Sequence, residues 1–495
     1  MRRLILVLAL AAVPARAVEA PFPKLGVVVV VDQMRADYLE RDPSFTGGFK
    51  RLAREGAVFT EARHLHIPTE TGPGHAAIST GRAPITHGII ANTWFDRQTG
   101  SDTYCVADNP YGIGPQHLDG PTLADALKAA RPGARVFSVS GKDRAAVLLG
   151  GRRPDLALWL DRARGVFTTS SYYRRPEWLG AFNAELVKSG LLPATGMKLS
   201  DKTLAGPAVD EATARLVEEL MRREKVGRGP GTDLLLVSFS ATDTVGHRYG
   251  TEAPEMAAQL RAVDAILGRL LGEWEKASEG SVVLALSADH GAIPSPEDPS
   301  GRALGVRRLD WDAFAASLEA ALQKVWPSPG ERWILSVNLP HLYLNRGLAL
   351  RKGFDWADFR RKAAKTVAAV SGIDRVLLNT EIPGMPDSDP LAAVLRRSIR
   401  PGRGGDLFVL IGENVLIHDQ PTGTSHGTHW DYDTHVPLVF WGRGVRAGHL
   451  GAAASPMDIA PTLGRLLGLD YAPGDGGSLR TEVAPSRAEA GAEAR

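Results

Sequence analysis

Three largely apolar runs, the first rich in β-branched valines, dominate what this chain can fold into, and an aspartate follows closely on each. Leu25 to Val31 leads to Asp32, Leu234 to Phe239 to Asp243, and Val282 to Leu286 to Asp289. Runs without polar alternation are the pattern of strands buried on both faces, which belongs to parallel sheets covered by helices. Parallel strands need crossovers, and helical patterns occupy the intervals at Phe49 to Glu55, Thr122 to Ala130, Val209 to Arg223 and Pro254 to Trp274, with a further strand at Arg135 to Val139. The expected fold class is α/β, a central mostly parallel sheet flanked by helices. Ligands of such sheets bind beyond the carboxyl ends of the strands, where all three aspartates fall.

Two of the aspartates have histidines beside them. Asp243 and His247 stand four apart across a short glycine-containing turn, and Asp289 and His290 are adjacent at a strand end. His426 lies in another glycine-flanked loop, and on spacing alone His429 is an equal candidate. Carboxylate oxygen and imidazole nitrogen form the ligand set of zinc, with other first-row metals possible. Two such clusters, one completed by Asp32 and the Thr71 hydroxyl, make a two-metal site. A single loop aspartate is ordinarily a cap or turn residue; the parallel placement of three argues for ligation. His75, His87 and His435 are read instead as hydrogen-bonding or structural groups.

Thr71 begins Thr71-Gly72-Pro73-Gly74-His75, a tight turn expected to run into a short helix at Ala76 to Ser79. An exposed hydroxyl at a helix start, where free backbone N–H groups favour an anion, is a seat for a nucleophile that attacks phosphate. Lys142 and Arg144 follow the strand ending at Val139. If the extended conformation continues, residues two apart share a face and both cations reach one anion. Asn92, in Gly88-Ile89-Ile90-Ala91-Asn92, is placed to donate a further hydrogen bond.

The chain of 495 residues carries 58 Lys and Arg against 56 Asp and Glu, a formal charge of +2, so no strong field directs it to nucleic acid or an anionic membrane. A small molecule is the expected partner. Arg2-Arg3, the apolar stretch Leu4 to Val13 and Ala15-Arg16-Ala17 read as a cleavable signal peptide over residues 1–17, and no later stretch has the length of a membrane span. The expected address is the periplasm or the outside of the cell. A lone Cys105 rules out an intrachain disulfide. One domain is expected over 18–482, with insertions over the sheet at about 150–231 and 295–414, and a disordered tail at 483–495.

Seven segments carry a resemblance to the alkaline phosphatase superfamily, in its threonine-nucleophile branch of nucleotide pyrophosphatase/phosphodiesterases and periplasmic phosphate-irrepressible alkaline phosphatases. They are Val-Val-Asp32-Gln-Met-Arg, Pro68-Thr-Glu-Thr71-Gly-Pro-Gly-His75, His87-Gly-Ile-Ile-Ala-Asn92, Ser140-Gly-Lys142-Asp-Arg144, Asp243-Thr-Val-Gly-His247, Ala288-Asp289-His290-Gly, and His426-Gly-Thr-His-Trp-Asp-Tyr-Asp. The resemblance implies an alkaline-phosphatase-like fold and two Zn2+. It assigns Asp243, His247 and His426 to one ion, so selecting His426 over His429, and Asp32, Thr71, Asp289 and His290 to the other. Thr71 would be the nucleophile, with Asn92, Lys142 and Arg144 on the phosphoryl oxygens. The Lys/Arg pair is characteristic of the monoesterases of the branch, so the implied activity is hydrolysis of phosphate monoesters through a phosphothreonine. A phosphodiesterase or nucleotide pyrophosphatase with the same site is the alternative, and a non-catalytic metal- or phosphate-binding protein a more distant one.

Overall fold

The computed structural model describes residues 22–472 and 476–484. The expected signal peptide and all but the first two residues of the expected tail lie outside them.

Strand β1 (Leu25–Val31) shows why its sequence contains no polar alternation. Val27, Val29 and Val31 enter one hydrophobic cluster and Val28 and Val30 a second on the opposite face, all at most 2 % exposed. β1 is the centre of a nine-stranded sheet. The other strands are β2 (Ala57–Ala62), β3 (Arg135–Ser140), β4 (Leu156–Asp161), β5 (Val166–Thr168), β6 (Asp233–Phe239), β7 (Val282–Ser287), β8 (Leu438–Gly442) and β9 (Gly448–Ala454). Their spatial order is β9-β2-β8-β7-β1-β6-β3-β4-β5. β7, β1, β6, β3 and β4 run parallel, while β8 and β5 run against their neighbours.

The three aspartate-bearing connections therefore leave three adjacent strands. β1 pairs with β6 so that Val31 opposes Phe239, and with β7 so that Val30 opposes Ser287. Asp32, Asp243 and Asp289 converge because that register aligns the three carboxyl ends.

Three short helices leave the same edge: α1 (Thr71–Thr80), α2 (Asp143–Gly150) and α3 (Ala241–Tyr249). Two longer helices, Ala208–Arg223 and Pro254–Ser278, cover one face, and the eight-residue helix Ile459–Leu466 packs on the other. Among the described residues no helix is long and apolar enough to cross a membrane.

The segment 150–231 does not lie wholly over the sheet. Leu156–Asp161 joins it as β4, parallel to β3, and β5 closes the edge. Trp159, Leu160 and Phe167 are buried there, so the short apolar run at 156–160 was a sheet strand. Residues 295–414 contribute instead to a separate four-stranded antiparallel sheet, Ile334–Asn338, His341–Leu344, Leu407–Ile411 and Ile373–Leu378, with its own apolar core around Trp333 and Phe359. This lobe is tied to the rest of the molecule by polar contacts. Asp102 Oδ1 accepts from Ser336 Oγ (2.9 Å) and Asn338 Nδ2 (3.1 Å), and Arg400 pairs with Asp119 at 2.7 Å. At the other terminus Val483 is fully buried in the second cluster. The start of the expected tail is thus packed into the core at Val483, whose carbonyl accepts from Arg446 N–H at 2.8 Å.

Candidate functional site

Thr71 is the first residue of α1, and Glu70 before it is extended. Gly72-Pro73-Gly74 is not a turn preceding the helix but its first turn, where proline's missing N–H costs nothing. Gly74 is required by a close approach, since a Cβ there would lie 2.3 Å from Asp289 O. The helix start is thereby pressed against the end of β7. Asn92 Oδ1 accepts from Gly72 N–H at 2.7 Å.

Lys142 and Arg144 reach the same hydroxyl, but not by projecting from one strand face. The extended conformation stops at Lys142, the residue before α2, and Arg144 lies in the first turn of that helix. Lys142 Nζ is 3.4 Å and Arg144 Nη2 3.3 Å from Thr71 Oγ1. The lysine ammonium also lies between two carboxylates, 2.5 Å from Asp32 Oδ2 and 2.6 Å from Asp243 Oδ2. Tyr104 OH donates to Asp143 Oδ1 at 2.6 Å and lies 3.4 Å from Arg144 Nη1, bracing the guanidinium.

Asp243 and His247 are likewise on a helix rather than across a turn. Four residues of α3 bring them onto one side, with His247 Nε2 3.1 Å from Asp243 Oδ1. A Cβ at Gly246, between them, would meet Gln33 Oε1 at 1.7 Å, so a side chain there would displace the Gln33 carboxamide that bonds Asp243.

The three imidazoles share one arrangement. His247 Nδ1 is 2.9 Å from Thr424 O, His290 Nδ1 2.9 Å from Gly291 O, and His426 Nδ1 2.6 Å from Thr69 O. A carbonyl only accepts, so each Nδ1 carries a proton and turns Nε2 toward the carboxylates, the atom a neutral imidazole offers to a metal. His290 and His426 stack with centroids 3.5 Å apart. Donor atoms of Asp243, His290 and His426 lie within 4.8 Å of one another, as do those of Asp32, Asp289 and His290. His290 thus stands between two donor groups, and His247 adjoins the first through Asp243. His429 joins neither; its ring packs on Trp430 at 4.3 Å.

Asp32 Oδ1, Asp289 Oδ2 and His290 Nε2 are buried without a hydrogen bond. Burial, and then the neighbouring Asp289 carboxylate, push the Asp32 carboxyl well above its ordinary range against the pull of Lys142. Burial also opposes ionisation of Asp243, but Lys142 and His247 outweigh it and hold that carboxyl well below the usual range. Buried carboxylates this close, with imidazole Nε2 atoms turned toward them, fit divalent metal by the chemistry of the donors.

A search for related proteins matches residues 26–428 to the model of the type I phosphodiesterase/nucleotide pyrophosphatase family. The chain belongs to this family, within the alkaline phosphatase superfamily. Among its phosphodiesterase-family relatives, the alkaline phosphatase PhoK of Sphingomonas sp. is 32 % identical, over 92 % of this chain and 90 % of that protein. The alkaline phosphatase PafA of Elizabethkingia meningoseptica is 29 % identical over 94 % of this chain and 95 % of its own. The crystal structure of wild type alkaline phosphatase PafA superposes with a TM-score of 0.86 at 27 % identity, covering 94 % of this chain and all of that one, and shares its central sheet and flanking helices.

Several groups at this phosphodiesterase-family site escaped the sequence reading. Gln33, at φ +60°, donates from Nε2 to Asp243 Oδ1 (2.9 Å) and from its backbone N–H to Asp289 Oδ1 (3.1 Å), joining the two donor groups. His75, by contrast, does what the sequence reading expected of a hydrogen-bonding group, donating from Nδ1 to Thr71 O at 2.8 Å and contacting Ser238 Oγ at 2.9 Å through Nε2. Glu70 Oε2 accepts from the Asn92 N–H at 2.7 Å. Arg162 follows β4 on the same sheet edge and has no hydrogen-bond or ion-pair partner for its guanidinium among the described residues. Burial and then the Arg144 charge lower its pKa, while Asp243 and Asp32 raise it. Its position after a short apolar run was the available signal, obscured while that run was read as part of an insertion.

Proposed function

We propose that this chain is an alkaline phosphatase that hydrolyses phosphate monoesters through a phosphothreonine on Thr71 and releases inorganic phosphate. The observation that carries the reading is the convergence of Lys142 and Arg144 on the Thr71 hydroxyl at the head of α1. Two cations beside one nucleophile match a dianionic phosphoryl group better than the monoanion of a diester. The alkaline phosphatase names of the full-length relatives support the same conclusion.

In this reading Asp243, His247 and His426 would hold one divalent ion and Asp32, Thr71, Asp289 and His290 the other, with zinc as the metal. When bound, the pair supplies Lewis acidity at the attacking and leaving oxygens. The chain's own groups do the rest. Thr71 gives up its hydroxyl proton to solvent as its Oγ forms the new P–O bond in line and the ester P–O bond breaks, and the departing alkoxide takes one proton from solvent and leaves as the alcohol. Lys142, Arg144 and the amide of Asn92 neutralise and orient the equatorial oxygens, and the helix start adds its dipole. Gln33 holds Asp243 and Asp289 in register with each other. Water then attacks the phosphothreonine from the vacated side, which restores the hydroxyl and frees phosphate. We read the chain from about residue 18 through at least Val483 as one catalytic domain, and the signal-like leader supports a periplasmic or secreted enzyme.

The test is a comparison of kcat/KM on 4-nitrophenyl phosphate and bis(4-nitrophenyl) phosphate with zinc-loaded protein. The monoester should be the better substrate, and a higher value for the diester assigns the phosphodiesterase alternative. Mass analysis of quenched enzyme should find one phosphoryl group on the peptide carrying Thr71, absent from Thr71→Ala.

A further inference from the structure

Beside the site lies a cleft of about 320 Å3 whose walls differ sharply in chemistry. Its inner end is formed by Asn92 and His426, the residues that reach Gly72 N–H at 2.7 Å and, through Nε2, Asp243 Oδ1 at 3.6 Å. A phosphoryl group held at Thr71 beside Asn92 therefore meets the cleft at this inner end, and its ester substituent extends along it. The outer wall is apolar: Trp311, Val337 and Leu339 of the inserted lobe, with Leu416 and Ile293 where the chain enters and leaves that lobe. No lysine or arginine lines the cleft, and its carboxyl groups are Glu70 and Asp433. The Asp433 carboxyl has an oxygen, Oδ1, that is buried without a hydrogen-bond donor.

Charge thus divides this site into two halves. Cations surround the phosphoryl end, at Lys142 and Arg144, whereas the other end offers an indole, aliphatic side chains and carboxyl groups. An aromatic or aliphatic alcohol buries its surface there. A second phosphate or carboxylate on the alcohol would be desolvated beside Glu70 and Asp433 with no counter-charge. The wall is also fixed in place, because Val337 lies between Ser336 and Asn338, the two residues that Asp102 holds at 2.9 and 3.1 Å.

We propose that this cleft is the leaving-group subsite, and that it selects monoesters of uncharged apolar or aromatic alcohols over monoesters whose alcohol carries a second anion. The inference rests on the monoesterase reading and adds the substrate class to it.

The experiment uses zinc-loaded full-length enzyme with 2-naphthyl phosphate, methyl phosphate and 4-carboxyphenyl phosphate, and reports each variant as a ratio to wild type so that intrinsic ester reactivity cancels. Trp311→Ala should lose at least about tenfold more kcat/KM on naphthyl than on methyl phosphate. Val337→Lys places a cation on the wall and should raise the carboxyphenyl-to-naphthyl ratio by about tenfold or more. Equal losses on naphthyl and methyl phosphate with Trp311→Ala, or an unchanged ratio with Val337→Lys, overturn the subsite. The two variants lie on separate elements, so one that fails to fold leaves the other decisive. Wild type that turns over none of the three esters overturns the monoesterase reading itself, and the subsite with it. Turnover without discrimination overturns the subsite alone.

Discussion

Asn92 is bound to the chain on both sides of Thr71: its Oδ1 accepts from Gly72 N–H at 2.7 Å, and its own N–H donates to Glu70 Oε2 at 2.7 Å. With the carboxamide oxygen engaged, the amide nitrogen is the end that remains to donate. Asn92→Asp keeps the acceptor for Gly72, which a carboxylate near a helix start satisfies well, but replaces the donor with negative charge. We expect kcat/KM on monoesters to fall by about 10²–10³ while thermal melting stays near wild type. Steady-state kinetics beside a melting curve decides it, and activity within a few-fold of wild type removes Asn92 from phosphoryl binding.

Lys142 and Arg144 approach one oxygen from two positions in the chain, which sets up a substrate-dependent loss. Replacing both with alanine should lower monoester kcat/KM by about 10³ or more and diester kcat/KM by much less, since the charge they meet differs between the substrates. The pair of 4-nitrophenyl esters reads this directly. Equal losses would mean that the cations support the Asp32 and Asp243 carboxylates rather than the substrate.

Removal of metal should affect folding as well as turnover. The carboxylates of Asp32, Asp243 and Asp289 lie at a fully or nearly fully buried centre, so a chelator takes away charge that compensates them. Dialysis against a chelator should abolish monoester hydrolysis and zinc should restore it. Free zinc at a hundredfold excess over Kd should stabilise the fold by about 2.7 kcal/mol. Calorimetry with and without zinc measures the shift, and a chelator-treated enzyme that retains full activity excludes the metal assignment.

Asp210 gives a pH dependence away from the metal ligands. It accepts from Ser240 N–H (2.8 Å), Ala241 N–H (3.1 Å) and Gln259 Nε2 (2.7 Å), yet burial pushes its carboxyl up to about 6 from 3.8. A carboxyl raised in the folded state contributes stability that is complete below the unfolded value and is lost as pH rises through the folded one. Wild type should therefore lose roughly 3 kcal/mol between about pH 4 and pH 7 from this group. Asp210→Asn keeps an oxygen for both N–H groups, and Gln259, whose Oε1 has no partner, can turn its amide to accept from the new one. The variant should gain on wild type as pH rises from 4.5 to 8 in urea denaturation at both values. A difference that does not change with pH refutes this.

The sheet was legible because parallel strands buried on both faces tolerate no polar alternation, and runs such as Leu25 to Val31 carry that constraint in every residue. The convergence of Asp32, Asp243 and Asp289 followed from it. Local geometry near the site was less legible. Lys142-Asp143-Arg144 and Asp243 to His247 were read as extended or turn segments, whereas both lie at or within the first turns of helices. Helices that short lack a periodic apolar stripe, and their ends are set by packing against neighbouring strands. Gln33 gave no local signal, since its importance comes from partners 210 and 256 residues away. The extension of the sheet by β4 was masked because Leu156–Asp161 is followed by a long irregular stretch before the next helix.

The inserted lobe leaves the sheet just after His290 and returns just before His426, so both of its anchor points are in the metal-donor loops themselves. Sequence added to or removed from the lobe changes what faces the alcohol while the strand register that aligns Asp32, Asp243 and Asp289 stays as it is. The catalytic groups and the wall that faces the alcohol thus stand on two separately packed parts of one chain, each with its own apolar core.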